Sequence, residues 1–163
     1  MRAAQTWRLR ASGAQGLERR SPAVAFDEQR GTTVLFGGWY WAEKNETWEW
    51  DGATWTQLFP SRQPSARSGH SMVYDSRRGV IVLFGGYDGS YRGEAFEWDG
   101  TTWTRRAGAG PGPRSDAAMA FDSGRGVVVL FGGFLGGAAA TRWRTTRVAA
   151  HWSLAAVMGL ERS

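Results

Sequence analysis

FDEQRGTTVLFGG (residues 26–38), YDSRRGVIVLFGG (74–86) and FDSGRGVVVLFGG (121–133) are one pattern written three times, at offsets of 48 and 47 residues. A second motif keeps the same register, WEWDGATWT (48–56) returning 48 residues later as FEWDGTTWT (96–104). Thr6-Trp7 joins it, because Trp7 precedes Asp27 by the same 20 residues that separate Trp55 from Asp75. Self-similarity at a fixed period of this length is the signature of stacked supersecondary units.

One period reads as four short strands. Residues 22–26, 70–74 and 117–121 form strand a, and TTVLF, VIVLF and VVVLF form strand b, a β-branched run suited to burial on both faces. Asp27/Gly31, Asp75/Gly79 and Asp122/Gly126 bracket a polar hairpin between a and b. Strand c is ETWEW (46–50) or EAFEW (94–98), and strand d starts at Thr54-Trp55 or Thr102-Trp103. Asp51-Gly52 and Asp99-Gly100 join c to d with a dipeptide that accepts the positive φ of a tight turn. Each period is an antiparallel meander whose apolar face must be covered by a neighbour.

Composition agrees. Ten Trp and 23 Gly in 163 residues disfavour an all-helical chain, 42% hydrophobic residues suit a folded one, and no run of 18 apolar residues is present to form a membrane-spanning helix. The absence of Cys excludes disulfides, thiolate metal sites and a Cys nucleophile, and His70 and His151 are too few and too far apart for a His-based metal centre. The formal charge of +5 resides at the ends, with +4 over residues 1–20, −2 over the middle and +3 over 139–163. Basicity confined to the ends argues against a nucleic-acid surface on the folded body.

Repeats of four strands point to β-propeller blades. The Gly-Gly doublet closing strand b (Gly37-Gly38, Gly85-Gly86, Gly132-Gly133) and the Trp-bearing strands after it resemble kelch repeats of the bacterial type, similar to the central domain of galactose oxidase, over about residues 6–133. The sialidase-like Asp-box is a poorer match, since Asp51 and Gly52 are adjacent. The expected fold is therefore all-β, with kelch-type blades built as four-stranded meanders, about three of them and too few to close alone. The expected divisions are 1–20, the end of a preceding blade and a linker; 21–59, blade 1; 60–107, blade 2; 108–135, the first half of blade 3; and 136–163, a divergent or frameshifted tail, with an amphipathic helix over 147–160 as its alternative. A lone first strand d permits closure with a last blade that lacks one. Two chains of three blades would supply a six-bladed homodimeric ring; the other expectation is a fragment of a larger propeller with exposed edges.

In such a meander the b-to-c and d-to-a loops emerge on one face. They carry the candidate binding residues: Trp39, Tyr40, Trp41, Lys44 and Asn45 after the first Gly-Gly; Tyr87, Asp88, Tyr91 and Arg92 after the second; and Arg20, Arg67 and Arg114 ahead of strand a. A rim of Arg and aromatic side chains suits acidic peptides or glycans. The repeated Gly and Trp (Trp50, Trp55, Trp98, Trp103) read as architecture, as does His70 at the start of strand a. Arg30, Arg78 and Arg125 are placed to bond Asp27, Asp75 and Asp122, with a phosphate site as the sharper alternative.

Galactose oxidase needs a Tyr–Cys crosslink and a His pair that this chain lacks, so the resemblance implies blade architecture without that copper chemistry or another cofactor. The expectation is a non-catalytic binding or scaffolding module with a protein or glycan ligand. The alternatives are a fragment of a secreted propeller enzyme or carbohydrate-active protein lacking its catalytic blades, or a non-functional truncation. MRAAQTWRLR has no apolar segment after its basic start, which makes the cytoplasm the default location, with a secreted parent as the other option.

Overall fold

The structure is a computed structural model that describes residues 18–108 and 110–135 and the backbone of 145–149. It is all-β. Blade 1 is the sheet β1 (Ala23–Asp27), β2 (Thr32–Phe36), β5 (Thr47–Trp50), β6 (Trp55–Leu58), in that spatial order. Two short strands, β3 (Trp39–Tyr40) and β4 (Ala42–Glu43), form a small ribbon between β2 and β5. Blade 2 repeats the meander with β7 (Ser71–Asp75), β8 (Val80–Phe84), β9 (Ala95–Trp98) and β10 (Trp103–Arg106). Blade 3 has β11 (Ser115–Asp122), β12 (Val127–Phe134) and β13 (Thr145–Ala149). All pairings are antiparallel, and the three blades do not close into a ring.

The blades stack around β1, β7 and β11, which lie beside one another. Alternation along strand b then divides its side chains between two neighbours. Val34 and Phe36 face blade 2, where they meet Ile81, Leu83, Trp98 and Trp103, all wholly or almost wholly buried. On the opposite side of blade 2, Phe84 and Ala95 pack on Leu130 of blade 3. The core therefore lies between blades, and each such side chain contributes about 1.5–3 kcal/mol by leaving water.

Each a-to-b hairpin is closed by its Asp. In the first, Asp27 Oδ1 accepts from the Gln29 and Arg30 amides (both 3.1 Å), while Arg30 Nη1 donates to Oδ2 at 2.6 Å. Asp75 does the same with the Arg77 and Arg78 amides and Arg78 Nε (2.7 Å), and Asp122 with Arg125. Arg30 also reaches the Gly79 and Asp99 carbonyls of blade 2, so it bridges blades. With the Arg30 and Arg78 guanidinium groups held by carboxylates, the phosphate alternative has no support in the geometry.

Two expectations need correction. The c-to-d turn is a four-residue loop between paired Trp50 and Trp55, in which Gly52 alone takes a positive φ (100°) and Asp51 acts through its carboxylate, accepting from the Ala53 and Thr54 amides at 2.7 and 2.8 Å. Those bonds, that from Thr54 foremost, hold the Asp51 carboxyl below its ordinary range. The second concerns the tail. Thr145–Ala149 is a strand rather than the start of a helix, since the open edge of β12 offers a hydrogen-bonding ladder to a β-branched segment. Its register is shifted: Leu130 pairs with Thr146, three positions later than the partner that Phe96 of blade 2 predicts. Trp143, which the period places in register with Phe96, lies outside the described residues, as do residues 150–160 of the expected helix and Trp7.

Candidate functional site

The loops between strands b and c and those leading into strand a converge on one face. The Gly-Gly doublet makes that convergence close. Gly37 has φ 61°, and a Cβ there would come within 2.6 Å of the Arg67 carbonyl; Gly85 repeats this at 2.5 Å from the Arg114 carbonyl. The next glycine donates its amide to the same carbonyl, Gly38 to Arg67 (2.9 Å) and Gly86 to Arg114 (2.8 Å). The first two b-to-c loops are thereby tied to the chain entering the next blade, which explains why no larger residue fits there.

Arg67 and Arg114 are not rim residues. Arg67 is 1% exposed; its Nη1 donates to the Gly85 carbonyl at 2.9 Å and its Nε to the Ser65 carbonyl at 3.1 Å. Arg114 is buried and repeats both bonds on Gly132 and Gly112 (2.9 and 3.0 Å). The equivalent in blade 1 is Arg19, which donates to Gly37 at 3.0 Å, and not Arg20. These three arginines brace the blades. Burial pushes Arg67 and Arg114 below the ordinary guanidinium value, with Glu94 opposing this at Arg67. At Glu46, burial is outweighed by hydrogen bonds from Arg19 and Trp48, which hold the carboxyl below its ordinary range.

Arg92 lies on the expected loop, but Asp88 occupies it. Its Nε lies 2.7 Å from both Asp88 oxygens. Burial would raise the Asp88 carboxyl, and bonds from Arg92 and Ser65 hold it down instead. Lys44 and Asn45 are half-buried, and the Lys44 backbone bonds Gly38 and Arg67. Of the cations expected at the rim, Arg20 alone is exposed and set over an aromatic ring, its Cζ standing 5.8 Å from the Trp39 centroid.

The aromatic half of the expectation is where the loops place it. Trp39, Tyr40 and Trp41 sit on the β3–β4 ribbon, and Trp41, with a positive φ of 58°, is 82% exposed. Tyr87 and Tyr91 are in contact, with ring centroids 5.2 Å apart, and Tyr91 continues to Phe134 at 5.5 Å. Phe134 was absent from the sequence reading, though the register marks it: Trp39, Tyr87 and Phe134 each follow a Gly-Gly, and they are 38, 37 and 46% exposed. A pocket of about 260 Å³ opens beside Tyr87, Tyr91 and Phe134, with Gly69, Ser115 and Asp116 among its walls.

His70 lies beneath this face, away from solvent. Its Nε2 donates to the Phe36 carbonyl at 3.1 Å, and its ring meets Phe36 edge-on. Burial foremost, then the Arg67 charge, lowers its pKa to about 3, so it is a neutral latch between blades 1 and 2.

The chain matches no protein-family model and no curated protein. Its geometry carries the functional reading: stacked blades, arginines tied to carbonyls and carboxylates, and a face of exposed aromatic rings. Among the described residues, no helix is long and apolar enough to cross a membrane.

Proposed function

We propose that the chain is part of a kelch-type β-propeller and acts as a non-catalytic binding module, taking a protein or glycan ligand on the face formed by the b-to-c loops. One observation carries the reading: aromatic side chains recur in register directly after the Gly-Gly doublets, at Trp39, Tyr87 and Phe134, and stay exposed while the tryptophans Trp98 and Trp103 are buried. Exposed aromatic faces of this kind stack on sugars or anchor peptides. The kelch assignment is supported by the Gly-Gly doublets and their close approach to the next blade. Arg67 and Arg114 are buried and Arg92 is paired with Asp88, which moves the emphasis from acidic ligands to the rings.

A screen of the full chain against immobilised glycans and tiled peptides tests this. The reading expects ligands whose binding is lost in Trp41→Ser or Tyr87→Ser at unchanged circular dichroism. Ligands indifferent to both substitutions, or no ligand in either class, would overturn it.

A further inference from the structure

We infer that the pocket formed by Tyr87, Tyr91, Phe134 and Asp116 is a receptor for an alkylammonium group, such as the head of a lysine or methylated lysine side chain presented by a protein ligand. The inference rests on the binding-module reading for its biological setting, but its physical basis is local.

The walls come first. The Tyr87–Tyr91 and Tyr91–Phe134 pairs are each inclined at 60°, so the three rings are tilted against one another instead of stacking flat, and all three line one space. Ring faces carry the negative lobe of the aromatic quadrupole and attract cations. At about 260 Å³ the space suits the end of a side chain better than a whole ligand.

The charge comes next, and the backbone puts it there. Ser21, Gly69 and Asp116 occupy equivalent positions in the repeat, the first two just before β1 and β7 and the third unpaired near the start of β11, and all have positive φ (49°, 62° and 56°). They are joined across blades, Gly69 N to the Ser21 carbonyl at 3.0 Å and Asp116 N to the Gly69 carbonyl at 2.7 Å. A left-handed non-glycine residue held by such bonds is a strained position of the sort found at functional sites. The strain directs the Asp116 carboxylate over Gly69, where an added Cβ would meet Oδ1 at 2.9 Å. The Ser115 hydroxyl donates to Oδ2 at 2.6 Å, and among the described residues Asp116 enters no salt bridge. Arg92, on the same loop as the tyrosines, is already neutralised by Asp88.

Blade 1 supplies an internal precedent. There the aromatic in register, Trp39, is covered by the guanidinium of Arg20. The residues equivalent to Arg20 are Ser68 and Ser115, and among the described residues no cation lies over Tyr87, Tyr91 or Phe134. Where blade 1 brings its own cation to the ring, blades 2 and 3 leave the rings open and add a carboxylate.

The test titrates the full chain with N-acetyl-trimethyllysine amide and with its neutral isostere, in which carbon replaces the quaternary nitrogen, following backbone amide shifts by NMR. Saturable shifts at Gly69, Tyr87 and Asp116 are expected for the cation, with binding about fivefold or more weaker for the isostere and further weakened by salt. Asp116→Asn, which preserves shape and tolerates positive φ, and Tyr91→Leu should each cost a similar factor, while Phe26→Ser, at an exposed ring on β1 outside the pocket, should cost nothing. Equal binding of the neutral isostere, an unaffected Asp116→Asn, or no shifts at millimolar cation would overturn the inference. The two readings fail separately. Peptides held by the loops without any response to the cation would sink this site alone, whereas cation binding with no macromolecular ligand would sink the module reading alone.

Discussion

Blades 1 and 2 carry nearly the same strand c and d motif, EWDGATWT and EWDGTTWT, and bury it to different extents. Trp98 and Trp103 of blade 2 are 1% exposed, packed on Phe36, with Trp103 Nε1 donating to Thr47 Oγ1 at 3.0 Å. Trp50 and Trp55 of blade 1 are only half-buried and lean chiefly on each other, at a centroid distance of 5.7 Å. Strand b follows suit: Ile81 of blade 2, fully buried, has Thr33 as its half-buried counterpart in blade 1. Trp98 and Trp103 face the blade before their own, and among the described residues no blade stands in that place for Trp50 and Trp55. What a blade's sequence specifies is thus half of an interface, and the energy is realised only where the other half is present.

The largest expected break in that comparison is at the tryptophans. Trp103→Ala should cost about 3–5 kcal/mol in urea denaturation by opening a cavity between blades, against about 1 kcal/mol for Trp55→Ala, which loses mainly the contact with Trp50. Next come the arginines. Arg67→Met should cost about 2–3 kcal/mol, because it strands the buried Gly85 carbonyl, while Arg20→Met, at an exposed ring contact, should cost under about 1 kcal/mol.

His70 adds a pH dependence to the closed interface. Its folded pKa of about 3 lies below the unfolded value near 6.5, so between them the unfolded chain binds the extra proton and acid favours unfolding. Stability attributable to His70 is complete above about pH 6.5 and falls by up to about 1.4 kcal/mol per pH unit toward pH 3. Melting curves of His70→Gln and the parent, compared from pH 7 to 4.5, should show the parent losing stability more steeply. The smallest effect sharpens the contrast: Thr33→Ile, which copies Ile81 onto the open side, should move stability by less than about 0.5 kcal/mol.

The strands were legible because their cause is local. Alternation, β-branching and the Asp/Gly brackets place β1, β2, β7 and β8 within a residue of their observed bounds. The Asp27–Arg30 type of pair was legible for the same reason, three residues of separation across a hairpin. The brace arginines were not. An Arg ahead of strand a reads alike whether it points to solvent or to a carbonyl 18 residues away, although strict register would have paired Arg67 with Arg19 in place of Arg20. Phe134 and Asp116 were missed for another reason: their roles depend on three blades meeting, and Asp116 is placed by a left-handed backbone that no propensity announces. The shift of β13 was hidden because a longer connection leaves no mark on strand composition.

Hydroxyl-radical footprinting of the full chain, read by mass spectrometry at individual tryptophans, tests the stacked-blade account most directly. The account predicts strong oxidation of Trp50 and Trp55 and protection of Trp98 and Trp103. Equal oxidation of the two pairs would contradict it, since equivalent motifs would then lack the neighbouring blade that distinguishes them.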